Sequence, residues 1–483
     1  MKLLEQANQA FRNQQYEVAI TRYVHVLQQL PALSHLLVGN LQHAQKRYRQ
    51  SRKIIKSRVC VSGWNLAGNA AGRVATLAQI WEGLAQVEII GCLFPARGSE
   101  IWPPIRNLSI PIHPLLVEDK RTFVQQAIEY VLQHPCDLLH LSKPRFSNIV
   151  LGLLYKLIWD CPVLMDIDDE ELAFVRATEA IALSDYIQIH GNLPDITDLT
   201  GKIYTQIAVD LATAFDGVTV ANPALQQRYG GTIVHHARDE AVFKPSLQRR
   251  NQSRARLNIP IEHKVILFLG TPREHKGLLE TAQAIVQQSC NDLLFLIVGD
   301  FPPKLQELKK QIETMSGLRS CLLGNQPFEV IPDILAAGDV CVLLQDADDL
   351  AAQYQTPAKL TDALAMGLTV LATPTPALTD LAAQGAFTPV PPGQLPEILA
   401  AALTQLPRAN QSPKAHPIFT RHLTLAANQS ALGDLLRQHR HAAVRPLDAN
   451  LQTLAKHMGI PLLSLPDNQT GKRAQLSENL KNN

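Results

Sequence analysis

Two series of short apolar runs, separated by segments of helix length, constrain this chain most. In the first series VCVSGW (59–64), VEIIGCLF (87–94), DLLHLS (137–142), PVLMDI (162–167) and GVTVAN (217–222) read as buried strands. Their near-continuous apolar character marks strands covered on both faces. Amphipathic stretches such as 73–86 and 122–133 lie between most of them. A second series follows the polar stretch 248–256: KVILFLG (264–270), DLLFLIVG (292–299), DVCVLLQ (339–345) and LTVLAT (368–373). This alternation implies parallel sheets with helices on both faces. Two doubly wound α/β domains in tandem is the simplest architecture. Such sheets bind ligands beyond the carboxyl ends of their strands.

The length of 483 residues accommodates two or three domains. A hydrophobic share of 46% excludes bulk disorder. Lys+Arg of 45 against Asp+Glu of 43 gives a net charge of +2, which argues against a nucleic-acid coat. The most apolar stretch, 146–165, is broken by Lys156 and Asp160, so no membrane span is expected. The amino terminus turns polar too early for a secretory signal peptide. Seven cysteines without a CxxC read as reduced, buried thiols of a cytoplasmic protein.

Residues 1–55 read as a helical extension. Ala7, Phe11, Ala19, Tyr23 and Pro31 sit where a tetratricopeptide repeat places its small, aromatic and terminal residues. One repeat cannot bury its own face, so a docked hairpin is expected, with protein-partner binding as the alternative. The run Lys46, Arg47, Arg49, Arg52, Lys53, Lys56 and Arg58 contains no acid. It reads as a solvated face or as an attraction for anionic headgroups at the inner face of a membrane. Lys143-Pro144-Arg145, before the apolar segment 146–159, poses the same choice between a membrane-touching helix and a buried one. Apolar residues all round that segment favour burial.

Three segments carry chemistry. Gly270-Thr271-Pro272-Arg273-Glu274-His275-Lys276-Gly277 joins a strand to a helix. Arg273 and Lys276 there stand at the mouth of the sheet and suit a phosphate or diphosphate. In the second segment, Thr356 is a good N-cap and Pro357 a good first residue for a helix at 357–366. That helix start is an anion site, to which Lys359 adds charge. Asp362, one turn further in, could accept hydrogen bonds from a ribose diol. The third is the loop Gly63 to Arg73, which is not GxGxxG. Gly68, Asn69 and Arg73 in it are candidate ligand contacts.

The spacing of Gly270, Lys276 and Gly277, followed by Asp362-Ala363-Leu364-Ala365-Met366-Gly367-Leu368-Thr369-Val370, resembles the C-terminal domain of glycosyltransferase family 4. Gly324-Asn325-Gln326-Pro327 and the passage Asn222 to Pro245 are also similar to that family. The resemblance covers roughly 58–400. It implies the GT-B fold: two facing Rossmann-like domains, here 56–245 on the acceptor side and 246–405 on the donor side. Residues 406–483 would be a helix at 419–440 returning to the first domain and a polar tail beyond 463.

The resemblance further implies transfer of a sugar from a nucleotide-sugar donor, with retention and without a metal or other cofactor. The acceptor would be a glycan, a lipid-linked sugar or a protein. On it, Lys276 and Arg273 bind the donor diphosphate. Thr356, Pro357, Ala358 and Lys359 clasp the distal phosphate and sugar, beside Gly270, and Asp362 holds the ribose. Where the family often has a glutamate eight residues earlier, this chain has Tyr354. Asp346, Asp348 and Asp349 are nearby substitutes.

A histidine common after the strand matching 162–167 is replaced by acids, of which Asp168 is expected to face the cleft in a catalytic role. His140 reads as a packing residue. Asp166-x-Asp168 also has the form of a metal-binding DxD, the weaker reading beside an acid-rich helix start. Alternative functions are a non-catalytic GT-B scaffold and a GT-B epimerase or phosphorylase.

Overall fold

The computed structural model describes residues 2–53, 55–406, 415–441 and 444–460. The first sheet contains β1 (Arg58–Gly63), β2 (Gln86–Leu93), β3 (Ile112–Leu116), β4 (Leu138–Ser142), β5 (Val163–Ile167), β6 (Gly217–Val220) and β7 (Thr232–Ile233). Their order is β3-β2-β1-β4-β5-β6-β7, all parallel. The second contains β8 (Lys264–Leu269), β9 (Leu293–Val298), β10 (Ser320–Leu323), β11 (Val340–Leu343), β12 (Thr369–Ala372) and β13 (Thr388–Pro389). Its order is β10-β9-β8-β11-β12-β13, again all parallel. Strand order reverses between β1 and β4 and between β8 and β11. Each reversal leaves a crevice at the carboxyl ends of the strands.

The central strands follow from their apolar runs, since β4, β5 and β11 are buried throughout. The edge strands β3, β10 and β13 are half-buried or exposed, and no apolar run marks them. Helix Phe146–Trp159 is buried on nearly every face. Its amphipathic partners are the N-terminal helices Lys2–Arg12, Tyr16–Gln29 and Ser34–Arg52. Ala7, Ala19, Tyr23, Leu41 and Tyr48 share one core with Tyr155 and Trp159. The apolar segment therefore covers itself with protein. Among the described residues no helix is long and apolar enough to cross a membrane.

The basic run is partly a solvated face, with Lys46, Arg47, Lys53 and Lys56 exposed, and partly paired. Arg49 pairs with Asp160 at 3.1 Å, Arg52 with Asp137 at 2.8 Å, and Arg58 with Glu17 at 2.6 Å. The first two pairs fasten the third helix to the first domain, and the last ties the second helix to β1. Lys143 and Arg145 are likewise turned inward, each under a tenth exposed. At the other end of the chain, helix Leu425–His441 lays Leu432 and Leu435 on the core of the first sheet. The polar tail beyond 463 lies outside the described residues. The cysteines are not all buried: Cys290 is exposed and Cys321 half-buried, while the other five are in cores.

Candidate functional site

The loop after β8 and the helix after β11 meet at one mouth. Gly270 ends β8 with φ of 113°, a backbone conformation that favours glycine. A Cβ there would run into the Lys359 ammonium, so the glycine makes room for that cation. Lys359 lies on helix Ala358–Ala365 and stands 5.6 Å above the Phe268 ring. Lys276, from the short turn Glu274–Lys276, donates to the Thr271 carbonyl at 3.3 Å. Its pKa is lowered to about 7 by burial and by the neighbouring Lys359 and Arg273 charges. The charged groups acting on Lys276 are thus both cations. Burial likewise lowers Lys359, opposed in part by Lys276 and Asp362. Positive charge held this way at a strand end is poised for an anion.

The helix begins one residue later than the capping pattern predicts. Pro357 is its N-cap and Ala358 its first residue. Thr356 is instead drawn inward: it is 3% exposed, and its hydroxyl is buried without a hydrogen-bond partner among the described residues. Asp362 is buried too, and Arg238 donates to its Oδ1 at 2.6 Å. Burial raises the Asp362 pKa against the pull of Arg238.

The Arg238 pair is one of several bonds between the two sheets' loops. Thr361 donates to the His236 carbonyl at 3.2 Å, Gln355 to Asp169 at 2.8 Å, and Asn222 to the Tyr354 carbonyl at 2.8 Å. The Tyr354 ring faces the Arg228 guanidinium at 5.3 Å. Arg238, His236, Asn222 and Gln355 are functional candidates that the motif reading missed. Asn222, His236 and Arg238 lay within the similar passage 222–245, but nothing there singled out their roles.

The acids after β5 do not form an open metal cage. Lys143 places its ammonium 2.6 Å from Asp168, 2.6 Å from Asp169 and 3.2 Å from Glu171. Arg145 also binds Glu171 and donates to Thr205 at 3.0 Å. Of the Asp166-x-Asp168 pair, Asp168 is held by Lys143 and Asp166 by Arg73, so built-in cations stand where a DxD ion would compete. Asp168 is 4% exposed at the carboxyl end of β5. Burial raises its pKa to about 7 against the Lys143 charge, with Asp169 and Asp166 adding to the rise. Asp346 and Asp349 spend carboxylate oxygens on backbone N–H groups of Asp348 and Ala351, which fixes a local turn.

One further expectation, for Arg73, is corrected, and the reading of His140 holds. Arg73 is no donor contact. It is 3% exposed and bidentate to Asp166, at 2.8 and 2.7 Å, and it also donates to the Val234 and His235 carbonyls. The carboxylate on β5 and the chain after β7 claim all of its guanidinium nitrogens. His140 is a packing residue: it accepts from the Trp81 indole at 3.0 Å and bonds Thr219 at 2.9 Å. Burial lowers its pKa to about 4. Gly68 has nothing within 4 Å of an added Cβ, and Asn69 is exposed, so that part of the first loop borders open space.

No curated protein matches the chain in sequence. Residues 263–408 match the family of glycosyl transferases group 1. Among solved structures the chain is similar to Anabaena HepE in complex with UDP and glucose, at 15% identity and a TM-score of 0.56, over 79% of this chain and 100% of that one. It is similar to sucrose-phosphate synthase from Thermosynechococcus elongatus at 15% identity and 0.55, over 79% and 99%. A glycosyltransferase from Rickettsia africae gives 12% identity and 0.58, over 80% and 99%. The chain therefore has the GT-B fold, and its second sheet lies within the region that matches glycosyl transferases group 1.

Proposed function

We propose that this protein transfers a sugar from a nucleotide-sugar donor to an acceptor, with retention of configuration and without a metal. The observation that carries the reading is the cluster of Lys276, Lys359 and Arg273 beside Gly270, which raises its own electrostatic cost until an anion arrives. The match of residues 263–408 to a glycosyltransferase family and the UDP and glucose bound by the Anabaena neighbour support it. In this reading the donor diphosphate lies over Gly270. Lys276 and Lys359 neutralise it and stabilise the charge growing on the leaving nucleotide. The first N–H groups of helix Ala358–Ala365 and the Thr356 hydroxyl complete the cradle. Asp362 keeps Oδ2 for a ribose hydroxyl while Oδ1 holds Arg238. Asp168, titrating near neutrality, is the group able to exchange a proton on the first domain's side.

Calorimetry with UDP-, GDP- and ADP-sugars tests the donor class, and Lys276 supplies a signature. A nucleotide sugar has no ionisation of its own near neutrality. With its pKa at about 7, Lys276 is mostly neutral at pH 8 in the free protein and charged beside the diphosphate. Binding at pH 8 should take up nearly one proton, read by repeating the titration in buffers of different ionisation enthalpy. Affinity should be flat below pH 7 and fall by up to about tenfold per unit above it. Binding that neither takes up protons nor weakens from pH 7 to 9 would contradict the site.

A second reading has one observation in its favour. Tyr354 stacks on Arg228 where the family often has a glutamate, which suits a protein that binds the donor without turning it over. Donor hydrolysis at any rate that Lys276→Ala abolishes would exclude it.

A further inference from the structure

At the opposite end of the first sheet, three ligand-type side chains converge outside the cleft. Glu88 lies near the start of β2 and His113 near the start of β3. Ile90 pairs with His113, so the two-residue period of a strand puts Glu88 and His113 on one face. His134 follows helix Phe123–Gln133 on that same face. The Glu88 carboxylate is 3.9 Å from His113 Nε2 and 3.7 Å from His134 Nδ1. All three ligand atoms lie within 4.8 Å of one another.

Those separations are too long for hydrogen bonds. They are close to the spacing of about 3.3 Å between ligands of a tetrahedral zinc, given metal–ligand distances of about 2.0–2.1 Å. The two carboxylate–imidazole separations need to close by roughly half an ångström around an ion.

The surroundings hold the imidazoles in place. The Tyr130 hydroxyl donates to the His113 carbonyl, and the Tyr155 hydroxyl donates to the His134 carbonyl at 2.6 Å. The His134 ring lies between His113 and Tyr130, at centroid distances of 4.6 and 4.8 Å. The group opens on a groove of about 730 Å³ between the N-terminal helices and the sheet, also lined by His25, Glu17 and Arg58.

We propose that Glu88, His113 and His134 bind one divalent transition-metal ion of the zinc class, with its remaining coordination position facing this groove. Two imidazoles and one carboxylate suit zinc in preference to magnesium or calcium, which take oxygen ligands.

The test uses untagged, metal-stripped full-length chain titrated with zinc chloride, and with cobalt chloride for its absorption spectrum. One equivalent should bind, and the cobalt form should show ligand-field bands without thiolate charge transfer. His113→Ala and Glu88→Gln should each weaken zinc by at least tenfold. Both variants should keep the wild-type circular dichroism melt in the absence of metal, and both should bind a nucleotide sugar like the parent. The proposal is overturned if no zinc binds, if the cobalt spectrum shows thiolate ligation, or if a His113→Ala/His134→Ala chain with an intact melt binds zinc unchanged. UDP-glucose binding by the same samples reports on the cleft separately, so failure of one site is distinguishable from failure of the other.

Discussion

Lys276→Met should weaken nucleotide-sugar binding by about two orders of magnitude and, in the same protein without donor, raise the melting temperature. The first effect follows from removing a half-buried ammonium that meets a diphosphate, where a charge-assisted bond contributes about 1.5–3 kcal/mol. Any share of turnover that depends on charge growing at the leaving phosphate is lost as well. The second effect follows from the repulsion by Lys359 and Arg273. A lysine whose pKa falls from about 10.5 to about 7 on folding opposes folding. That opposition is complete below pH 7 and fades as the pH rises from 7 towards 10.5, because the unfolded chain then loses its extra proton. Partial exposure reduces it to about 1 kcal/mol. The melting gain should therefore be seen at pH 6 and be gone near pH 10.5. Calorimetry and thermal melts on one preparation read both. A variant that binds donor normally, or that melts lower at pH 6, would remove Lys276 from the proposed role. Lys276→Arg keeps a cation and should recover part of the binding without the gain in stability.

Lys276 was legible in the sequence because its signal is local. A glycine ends a strand, two cations follow, and a helix begins, all within ten residues. The doubly wound fold was legible for a similar reason, since a strand buried on both faces must be apolar along its whole length. The edge strands were not. β3 reads IHPLL with a half-exposed face, and β13 is two residues long. Pairing with one neighbour asks for no apolar run, so only the three-dimensional partner reveals such strands. The same limit hid the zinc-class cluster, whose members are spread from 88 to 134 and meet only through sheet register and the helix that ends at His134. It also hid the Lys143 group. Asp166-x-Asp168 looks like a metal motif, and the cations that hold its two carboxylates, Arg73 and Lys143, come from other parts of the fold.

Arg73 shows why charge type alone misleads at a loop–helix junction. It sits where a donor-phosphate contact would be sought, yet it is spent inside the first domain. Its side chain is 1% exposed and that of Asp166 is 0% exposed. Asp166 also accepts from Thr219 at 2.7 Å, and Thr219 bonds His140. Arg73→Ala should thus leave a buried carboxylate without its cation and two carbonyls without a donor. The expected cost is about 3–5 kcal/mol, read as a lower midpoint in urea denaturation of the first domain. Asp166→Asn should cost nearly as much, because the guanidinium is then the uncompensated charge. The Arg73→Met/Asp166→Leu pair should recover a large part of the loss, since neither partner is then stranded and the volume is roughly kept. Donor binding per folded molecule should stay within about twofold of the parent in all three. The contrast with Lys276 is the test of the assignment: one cation lowers stability and holds donor, the other holds the fold and ignores donor. If Arg73→Ala weakened UDP-glucose binding tenfold while lowering the unfolding free energy from urea denaturation by less than about 1 kcal/mol, the guanidinium would belong to the donor site after all.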